Sequence, residues 1–266
     1  IRRASELFGL IHFVFFSPED LSIIKNGPAE RRHFLDSELC QLDKVYLYQL
    51  SNYNKVVLQR NKLLKELYLH PDYREVLDVL DMQLVQYGSA LIQRRQTFAE
   101  ELGEIVHRIH SQLSGGQEEM ELKYEPNVTV DAFAQMLFSN RERDMRLKTT
   151  ATGPHRDDIS FVVNGVDIRK FGSQGQQRTA ALSLKLSEIE LVKRLIGDTP
   201  VLLLDDVLSE LDSGRQNYLL NSIENIQTLI TCTGLDEFVN HRFSINRIYK
   251  VTDGSVTVEN KQEADR

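Results

Sequence analysis

Two adjacent aspartates, Asp205 and Asp206, directly follow the apolar run Val201–Leu204. A buried strand that ends in a carboxylate can place a hard oxygen ligand beside a magnesium ion and a phosphate group. Asp205 is therefore a candidate magnesium ligand. The alternative is a helix cap at the end of the strand, which explains one acid better than two, because burying two acids without a metal or a donor is costly.

A second candidate site is the segment Gly172–Thr179, GSQGQQRT, at the start of a helix predicted over Gln176–Leu195. Small residues allow backbone N–H groups to approach an anion, and the positive end of the helix dipole favours negative charge. The segment is therefore built like a phosphate-binding loop. A flexible loop that only caps the helix is the alternative.

The elements that would position these residues alternate along the carboxyl-terminal half of the chain. After the helix just named, the pattern predicts a strand, a helix and a strand at Val201–Asp205, Ser213–Ile226 and Thr228–Cys232. This alternation predicts an α/β fold with a parallel sheet covered by helices. Further predictions are an early strand at Ile11–Phe16, a helix at Asp131–Met145, and hairpins that turn at Asn164-Gly165 and Asp253-Gly254.

The middle of the chain is predicted to be helical. Apolar residues recur at helical spacing from Leu35 to Leu67 and again from Val76 to Leu113, with His70-Pro71-Asp72 between the two series. This predicts two long helices in an antiparallel hairpin, each about 50 to 60 Å long at about 1.5 Å per residue. We expect a projecting arm; two helices of an ordinary bundle are the alternative.

Composition excludes several classes of protein. The 266 residues carry a formal charge of -7, so the chain has no global basic field for nucleic acid or anionic lipid. Its apolar stretches are much shorter than the roughly 18 residues of a membrane span, so no membrane association is expected. The two cysteines, Cys40 and Cys232, predict neither a disulfide framework nor a zinc site, and a cytoplasmic location is expected.

Three motifs in this order resemble the RecF family of bacterial recombination mediators, which are ABC-type and SMC-like ATPases. They are TGPHRDD at 152–158, GQQRT at 175–179 and LLDDVLSELD at 203–212, and FSPEDL at 16–21 and RRHFLD at 31–36 add to the likeness. The resemblance covers nearly the whole chain. It implies an α/β ABC-type ATPase head lobe with an inserted antiparallel helical arm. The implied division is 1–27 for the end of the amino-terminal head portion, 28–125 for the arm and 126–266 for the carboxyl-terminal head lobe.

The resemblance also assigns roles to residues. It implies that Ser173, Gly175 and Gln176 form the signature that contacts the γ-phosphate of ATP across a dimer interface. Asp205 would hold Mg²⁺ and Asp206 would polarise the attacking water. Ser209 and Asp212 would belong to the D-loop at the dimer interface. Because an aspartate is one methylene shorter than the glutamate usual at the position of Asp206, slow turnover is expected.

The function that the resemblance implies is an ATP-driven dimer clamp on gapped DNA. It would aid recombinase loading in DNA repair, replication and the SOS response, with RecR and RecO as partners. No GxxxxGK[ST] motif is present, so the chain as given is expected to need a preceding segment for ATP binding and hydrolysis. The alternatives are a non-enzymatic interaction module that uses the arm, and the head of another SMC-like repair ATPase.

Other motifs receive weaker interpretations. His155 and Arg156 match the family motif without an evident role, and a set of loop salt bridges would explain them equally well. The literal LSGGQ at 113–117 precedes acidic residues, so we interpret it as the exit turn of the arm. Candidate DNA contacts are a set on one predicted helix surface, with a solvated face as the alternative: Arg141, Arg143, Arg146 and Lys148. Arg31-Arg32-His33 and Arg94-Arg95 are further basic positions.

Overall fold

The computed structural model describes residues 10–66, 74–232 and 245–259. The predicted turn at His70-Pro71-Asp72 lies outside these residues. Within them none of the helices is long and apolar enough to cross a membrane. The strands are β1 Phe13–Phe16, β2 Met120–Glu125, β3 Asp158–Val163, β4 Val166–Asp167, β5 Val201–Asp205, β6 Thr228–Thr231, β7 Ile248–Thr252 and β8 Ser255–Glu259. The α-helices are α1 Leu21–Lys25, α2 Pro28–Leu42, α3 Lys44–Glu66, α4 Arg74–Leu113, α5 Val130–Ser139, α6 Arg141–Leu147, α7 Ile168–Phe171, α8 Gln174–Ile196 and α9 Ser213–Ser222.

The predicted parallel sheet is present, with strand order β1-β5-β6. Because side chains alternate along a strand, one face of β1 and β5 is buried beneath helices and carries Val14, Phe16, Leu202 and Leu204. The opposite face is open to solvent in the described part of the chain. It presents Phe13, Phe15 and Leu229, which are exposed by 39%, 47% and 54%.

A second sheet is antiparallel, with strand order β2-β3-β4. The predicted hairpin at Asn164-Gly165 joins β3 to β4, and both of its turn residues have positive φ, as a tight two-residue turn requires. Strand β2 was not predicted. It pairs along the whole of β3 and lies against α4, so it joins the helical part of the chain to the sheet.

Two predicted helices are each divided in the structure. The helix predicted from the apolar series Leu35 to Leu67 breaks at Asp43, whose Oδ1 accepts hydrogen bonds from the backbone N–H groups of Val45 at 2.8 Å and Tyr46 at 3.1 Å. The aspartate therefore starts α3 as a cap rather than continuing α2. The predicted helix over 131–145 likewise breaks at Asn140, where α5 ends and α6 begins. These breaks correct the predicted helix lengths.

Helix α4 is the longest element, with 40 residues, and it packs against different partners along its length. It lies antiparallel to α3, as the hairpin prediction requires, and it also packs on α5, β2 and α8. Gly88 permits the close contact with α5, because a Cβ at this position would lie 2.5 Å from Cε1 of Phe133. One helix therefore belongs to the arm and to the head at once. The division at residues 27 and 125 remains a prediction.

A buried ion-pair network holds the helices on the antiparallel sheet. Arg95 of α4 is 2% exposed, and its Nη1 donates to Asp157 Oδ2 at 2.9 Å and to the carbonyl oxygen of Pro154 at 2.7 Å. Its Nη2 donates to Asp36 Oδ1 on α2 at 2.7 Å. Asp157 also accepts hydrogen bonds from the hydroxyl of Tyr124 on β2. A buried charge is tolerated only when it is paired, so these contacts fix three elements together.

We predict that Arg95→Met lowers the free energy of unfolding by about 3 to 5 kcal/mol, because Asp157 would then be buried without its counter-charge. Urea denaturation measures the change. Arg94→Met is the matched control, since Arg94 is more exposed and lies 3.4 Å from Asp43 in a surface pair. The double variant with Asp157→Asn should lose less than the sum of the two single variants. Strict additivity would contradict a direct buried pair.

A second buried charge cluster lies beneath the parallel sheet. Lys185 of α8 is 2.6 Å from Glu188 Oε2 and 4.0 Å from Asp20 Oδ1. Glu38 of α2 is also buried near this ammonium group. Desolvation raises the pKa of Glu38 to about 6 and that of Glu188 well above its ordinary value. One lysine cannot balance three carboxylates, so burial favours protonation of the acids in the folded chain.

The stability of the Glu38→Gln variant, measured against the parent protein, is expected to increase as pH rises. The pKa of Glu38 is about 6 in the folded chain and 4.5 unfolded, so its contribution to stability is lost as pH rises through this window. The stability of the variant relative to the parent should therefore increase by about 2 kcal/mol between about pH 4 and about pH 7.5. Urea titrations at several pH values test this, with the exposed Glu30→Gln on the same helix as control. A pH-independent difference would disprove it.

Candidate functional site

The two candidate carboxylates lie at the carboxyl end of β5, at the edge of the parallel sheet. Asp205 is exposed, and it pairs in register with Thr231 of β6. The Thr231 hydroxyl donates a hydrogen bond of 2.5 Å to Asp205 Oδ1. Among the described residues no lysine or arginine forms an ion pair with Asp205 or Asp206. Both carboxylates are therefore available to a cation.

The backbone turns sharply at Asp206, which has a positive φ of 50°. Its N–H donates to the carbonyl oxygen and to Oγ1 of Thr231, each at 3.2 Å, and its own carbonyl oxygen accepts a hydrogen bond from Ser209 Oγ at 2.9 Å. A left-handed conformation is uncommon for a residue other than glycine, although aspartate adopts it more readily than most. The strand therefore ends at Asp205, and Asp206 belongs to the turn that follows it.

The predicted D-loop residues follow this turn. Ser209 is exposed in a short 3₁₀ turn, and Asp212 caps the start of α9 by accepting a hydrogen bond from the Arg215 N–H at 3.0 Å. This backbone hydrogen bond and the nearby guanidinium group lower the pKa of Asp212. Arg215 also donates to Asp212 Oδ2 at 2.6 Å and to Thr179 Oγ1 at 2.5 Å. Arg215, which no sequence motif indicated, therefore links the predicted D-loop to the helix of the predicted signature.

The predicted signature forms the first turn of α8. Ser173 is the N-cap, its Oγ accepts from the Gln176 N–H at 3.2 Å, and Gln176 Oε1 accepts from the Ser173 N–H at 3.0 Å. Gly175 is exposed, and a Cβ there would have only Ser173 Oγ within 4 Å, at 3.9 Å. This reciprocal cap leaves the remaining backbone N–H groups of the first turn facing solvent, where an anion can reach them.

Polar contacts do not join the two candidate segments in the part of the chain that the structure describes. Among the described residues no hydrogen bond or ion pair connects Ser173, Gly175 or Gln176 directly to Asp205 or Asp206. The helix start fits an anion such as a phosphate, and the carboxylates of the exposed Asp205 and the half-buried Asp206 fit a hard cation such as Mg²⁺. The chemistry of both donor sets therefore agrees with a nucleotide and its metal.

His155 and its neighbours have a structural place that the sequence did not reveal. The Tyr53 hydroxyl lies 2.7 Å from His155 Nδ1, and His155 Nε2 lies 2.9 Å from the Thr150 carbonyl oxygen. Burial lowers the pKa of His155 to about 4, so the ring is neutral, donates from Nε2 and accepts at Nδ1. Gly153 allows this approach, because a Cβ there would lie 2.3 Å from the Tyr53 hydroxyl. Arg156 is exposed and donates to Thr150 O at 3.3 Å.

The candidate DNA contacts do not form a uniform set. Arg141 forms ion pairs with Asp78 and Asp81 at 2.6 and 2.7 Å, and its guanidinium lies 4.7 Å from the ring centroid of Phe138. Its charge is therefore largely balanced within the chain. The other three candidates are exposed: Arg143, Arg146 and Lys148.

Two further basic positions are less available than the sequence suggested. Arg31 and Arg95 are both 2% exposed and lie in ion pairs with Asp158 and Asp157. Their charges are used inside the protein rather than presented to a polyanion. This corrects the view of these positions as surface charge.

The LSGGQ segment is the exit turn of α4, as predicted. Helix α4 ends at Leu113, and Gly115 and Gly116 both have positive φ in the turn that follows. The segment therefore ends a helix, where carbonyl groups rather than N–H groups lack partners. The turn nevertheless brings Glu118 to the signature, because Gln176 Nε2 donates to Glu118 Oε1 at 2.8 Å. No local pattern in the sequence indicates this contact, which joins residues 58 positions apart.

No protein-family model matches the chain. Curated relatives include the DNA replication and repair protein RecF of Agathobacter rectalis, 61% identical over 97% of this chain and 71% of the relative. The protein with the same name from Lachnospira eligens is 60% identical over 98% of this chain and 72% of the relative. That of Clostridium kluyveri is 45% identical over 97% of this chain and 72% of the relative.

Two solved structures are similar over the same range. One is the recombination mediator protein RecF-ATP in the RecFOR pathway, with a TM-score of 0.88, 35% identity, and coverage of 98% of this chain and 70% of that chain. The other is the recombination mediator protein RecF-ATPrS in the same pathway, with a TM-score of 0.87 and 35% identity, and it matches 97% of this chain and 70% of that chain. The predicted fold class, an α/β ABC-type ATPase head lobe with an antiparallel helical arm, is confirmed. The chain belongs to the RecF family.

Proposed function

We propose that this chain is the distal part of an ATP-dependent DNA-binding recombination mediator that acts in DNA repair and replication. One observation carries the proposal. The chain presents an open helix start at Ser173–Gln176 and open carboxylates at Asp205 and Asp206, and among the described residues it does not join them to each other. Two copies would complete the site if the signature of one faces the nucleotide held by the other. The relatives' names and the ATP-containing structures support this assignment.

The mechanism would be a clamp closed by nucleotide. Asp205 would ligate Mg²⁺, which neutralises phosphate charge when it is bound. Ser173 and the N–H groups of the first turn of α8 would donate hydrogen bonds to the γ-phosphate of the opposite subunit, with Gly175 permitting close approach and Gln176 holding the cap. Ser209 and Asp212 would lie at the subunit interface. Binding of ATP to the closed state alone would then drive dimerisation by mass action.

Hydrolysis would reopen the clamp. Asp206 would orient and deprotonate the attacking water, and the positive φ at this residue fixes where its short side chain can reach. Turnover would be slow if the Asp206 carboxylate lies too far from the attacking water.

The DNA substrate would be single-stranded gaps and their junctions with duplex DNA. RecR and RecO would be the protein partners, and the protein would act in the cytoplasm and in the SOS response. Arg143, Arg146 and Lys148 are the proposed DNA contacts, with Arg141 contributing less.

Analytical ultracentrifugation of the full-length protein tests the clamp. We expect ATP with Mg²⁺ to double the mass, and Ser173→Arg to abolish the doubling, because a bulky cation would block the helix start at the interface. Gln117→Arg is the matched control, since it places the same charge on the exposed LSGGQ turn. If ATP binds but the sedimenting mass does not change, the signature is only a helix cap and the interaction-module alternative is favoured.

Asp206→Asn should separate dimerisation from hydrolysis. The variant is expected to dimerise with ATP, because the metal ligand is intact, and to lose about 100-fold or more in turnover, because a general base is removed. Phosphate release measures turnover, and ultracentrifugation measures dimerisation. Asp205→Asn should instead weaken both, and the weakening should be partly overcome by higher Mg²⁺. Unchanged turnover and DNA association in both variants would support a non-enzymatic module.

A further inference from the structure

A chain of hydrogen bonds connects the signature helix to the exit of the long helix α4. Gln176 Nε2 donates to Glu118 Oε1 at 2.8 Å, and Glu118 Oε2 lies 3.1 Å from His110 Nε2. His110 Nδ1 in turn lies 3.0 Å from Ser183 Oγ. Because Gln176 and Ser183 both belong to α8, the chain leaves this helix at its first turn and returns to it two turns later.

Contacts at both carboxylate oxygens hold Glu118 in place. His110 is fully buried, and desolvation lowers its pKa. Its Nε2 faces the Glu118 carboxylate, and its Nδ1 faces Ser183 Oγ, whose own proton is donated to the Thr179 carbonyl oxygen at 2.7 Å. Among the described residues no lysine or arginine forms an ion pair with Glu118; its ion-pair partner by distance is this histidine. The carboxylate is therefore fixed by polar contacts at both of its oxygens, one to the signature helix and one to α4.

This carboxylate lies against the helix start that would receive a phosphate. Both polar atoms of the Gln176 amide are already used, Oε1 by the Ser173 N–H and Nε2 by Glu118. The positive end of a helix dipole favours a nearby anion, and the Glu118 carboxylate already lies close to the start of α8. A γ-phosphate that approached Ser173 and Gly175 would meet a like charge one hydrogen bond away. Like charges at such short range repel strongly unless they are screened.

We propose that Glu118 is a positioning residue that restrains the signature: it holds Gln176 in the cap and opposes the entry of the partner's γ-phosphate. This inference rests on the proposed function. The restraint is anchored at the end of α4 through His110, so it belongs to the helix that also builds the arm. Nucleotide-driven closure must then work against a fixed negative charge, which sets a higher ATP concentration for dimerisation than the signature alone would require.

The test is an ATP titration of dimerisation by ultracentrifugation, using the full-length protein and its Glu118→Gln variant. Glutamine keeps the size and the acceptor oxygen but removes the charge. We expect the half-maximal ATP concentration to fall about tenfold. Glu119→Gln is the matched control, because the neighbouring Glu119 is exposed and its removal changes the net charge equally. Thermal unfolding of both variants verifies that they are folded.

The dependence on salt provides a second measurement. Added salt screens a charge repulsion, so the difference between the parent and Glu118→Gln should narrow between about 50 mM and about 500 mM NaCl. A half-maximal concentration that is unchanged or raised in Glu118→Gln would overturn the inference, since a merely structural contact gives that result. If Ser173→Arg also fails to affect dimerisation, the proposed function fails. If Ser173→Arg abolishes dimerisation while Glu118→Gln behaves like the parent, only the restraint fails.

Discussion

The fold depends on the pairing of one buried guanidinium group with one buried carboxylate. Arg95 and Asp157 are 62 positions apart, and neither could be buried alone. Their pairing requires the middle of α4 to lie over the loop before β3, and it draws in Asp36 from α2 and Tyr124 from β2. Helices that were predicted as an arm are thereby fixed to the sheet. The TGPHRDD motif supplies this joint through the carboxylate of Asp157 and the carbonyl oxygen of Pro154.

Much of the fold could be predicted because the signals are local. The strand that ends at Asp205 is an apolar run followed by two acids. The pair Asn164-Gly165 is typical of a two-residue hairpin turn, and both residues have the positive φ that this turn requires. The breaks at Asp43 and Asn140 were missed because helical periodicity continues across them, and only the capping contacts show that a new helix begins. Strand β2 also has an alternating pattern, Met-Glu-Leu-Lys-Tyr-Glu, but six residues with mixed charge become a strand only through pairing with β3.

The candidate site also has a part that could be predicted from local sequence and a part that depends on contacts between distant residues. The acids and the helix cap are contiguous in sequence, so their types and spacing identify them. His155 pairs with Tyr53, 102 positions away, and Glu118 pairs with Gln176, 58 positions away. No local pattern encodes such partners. Arg215 is a third case, since a helical arginine is ordinary in sequence, yet its contacts with Asp212 and Thr179 join α9 to α8.

The length of α4 gives the joint at Arg95 a mechanical consequence. At about 1.5 Å per residue, the amino end of the helix is about 30 Å from Arg95, and His110 is about 20 Å away on the other side. With the joint as a pivot, a tilt of about 5° would move the far end by about 3 Å and His110 by about 2 Å in the opposite direction. The helix is therefore a lever whose arms are in a ratio of about 3 to 2, so a displacement at its amino end would reach His110 reduced by about one third.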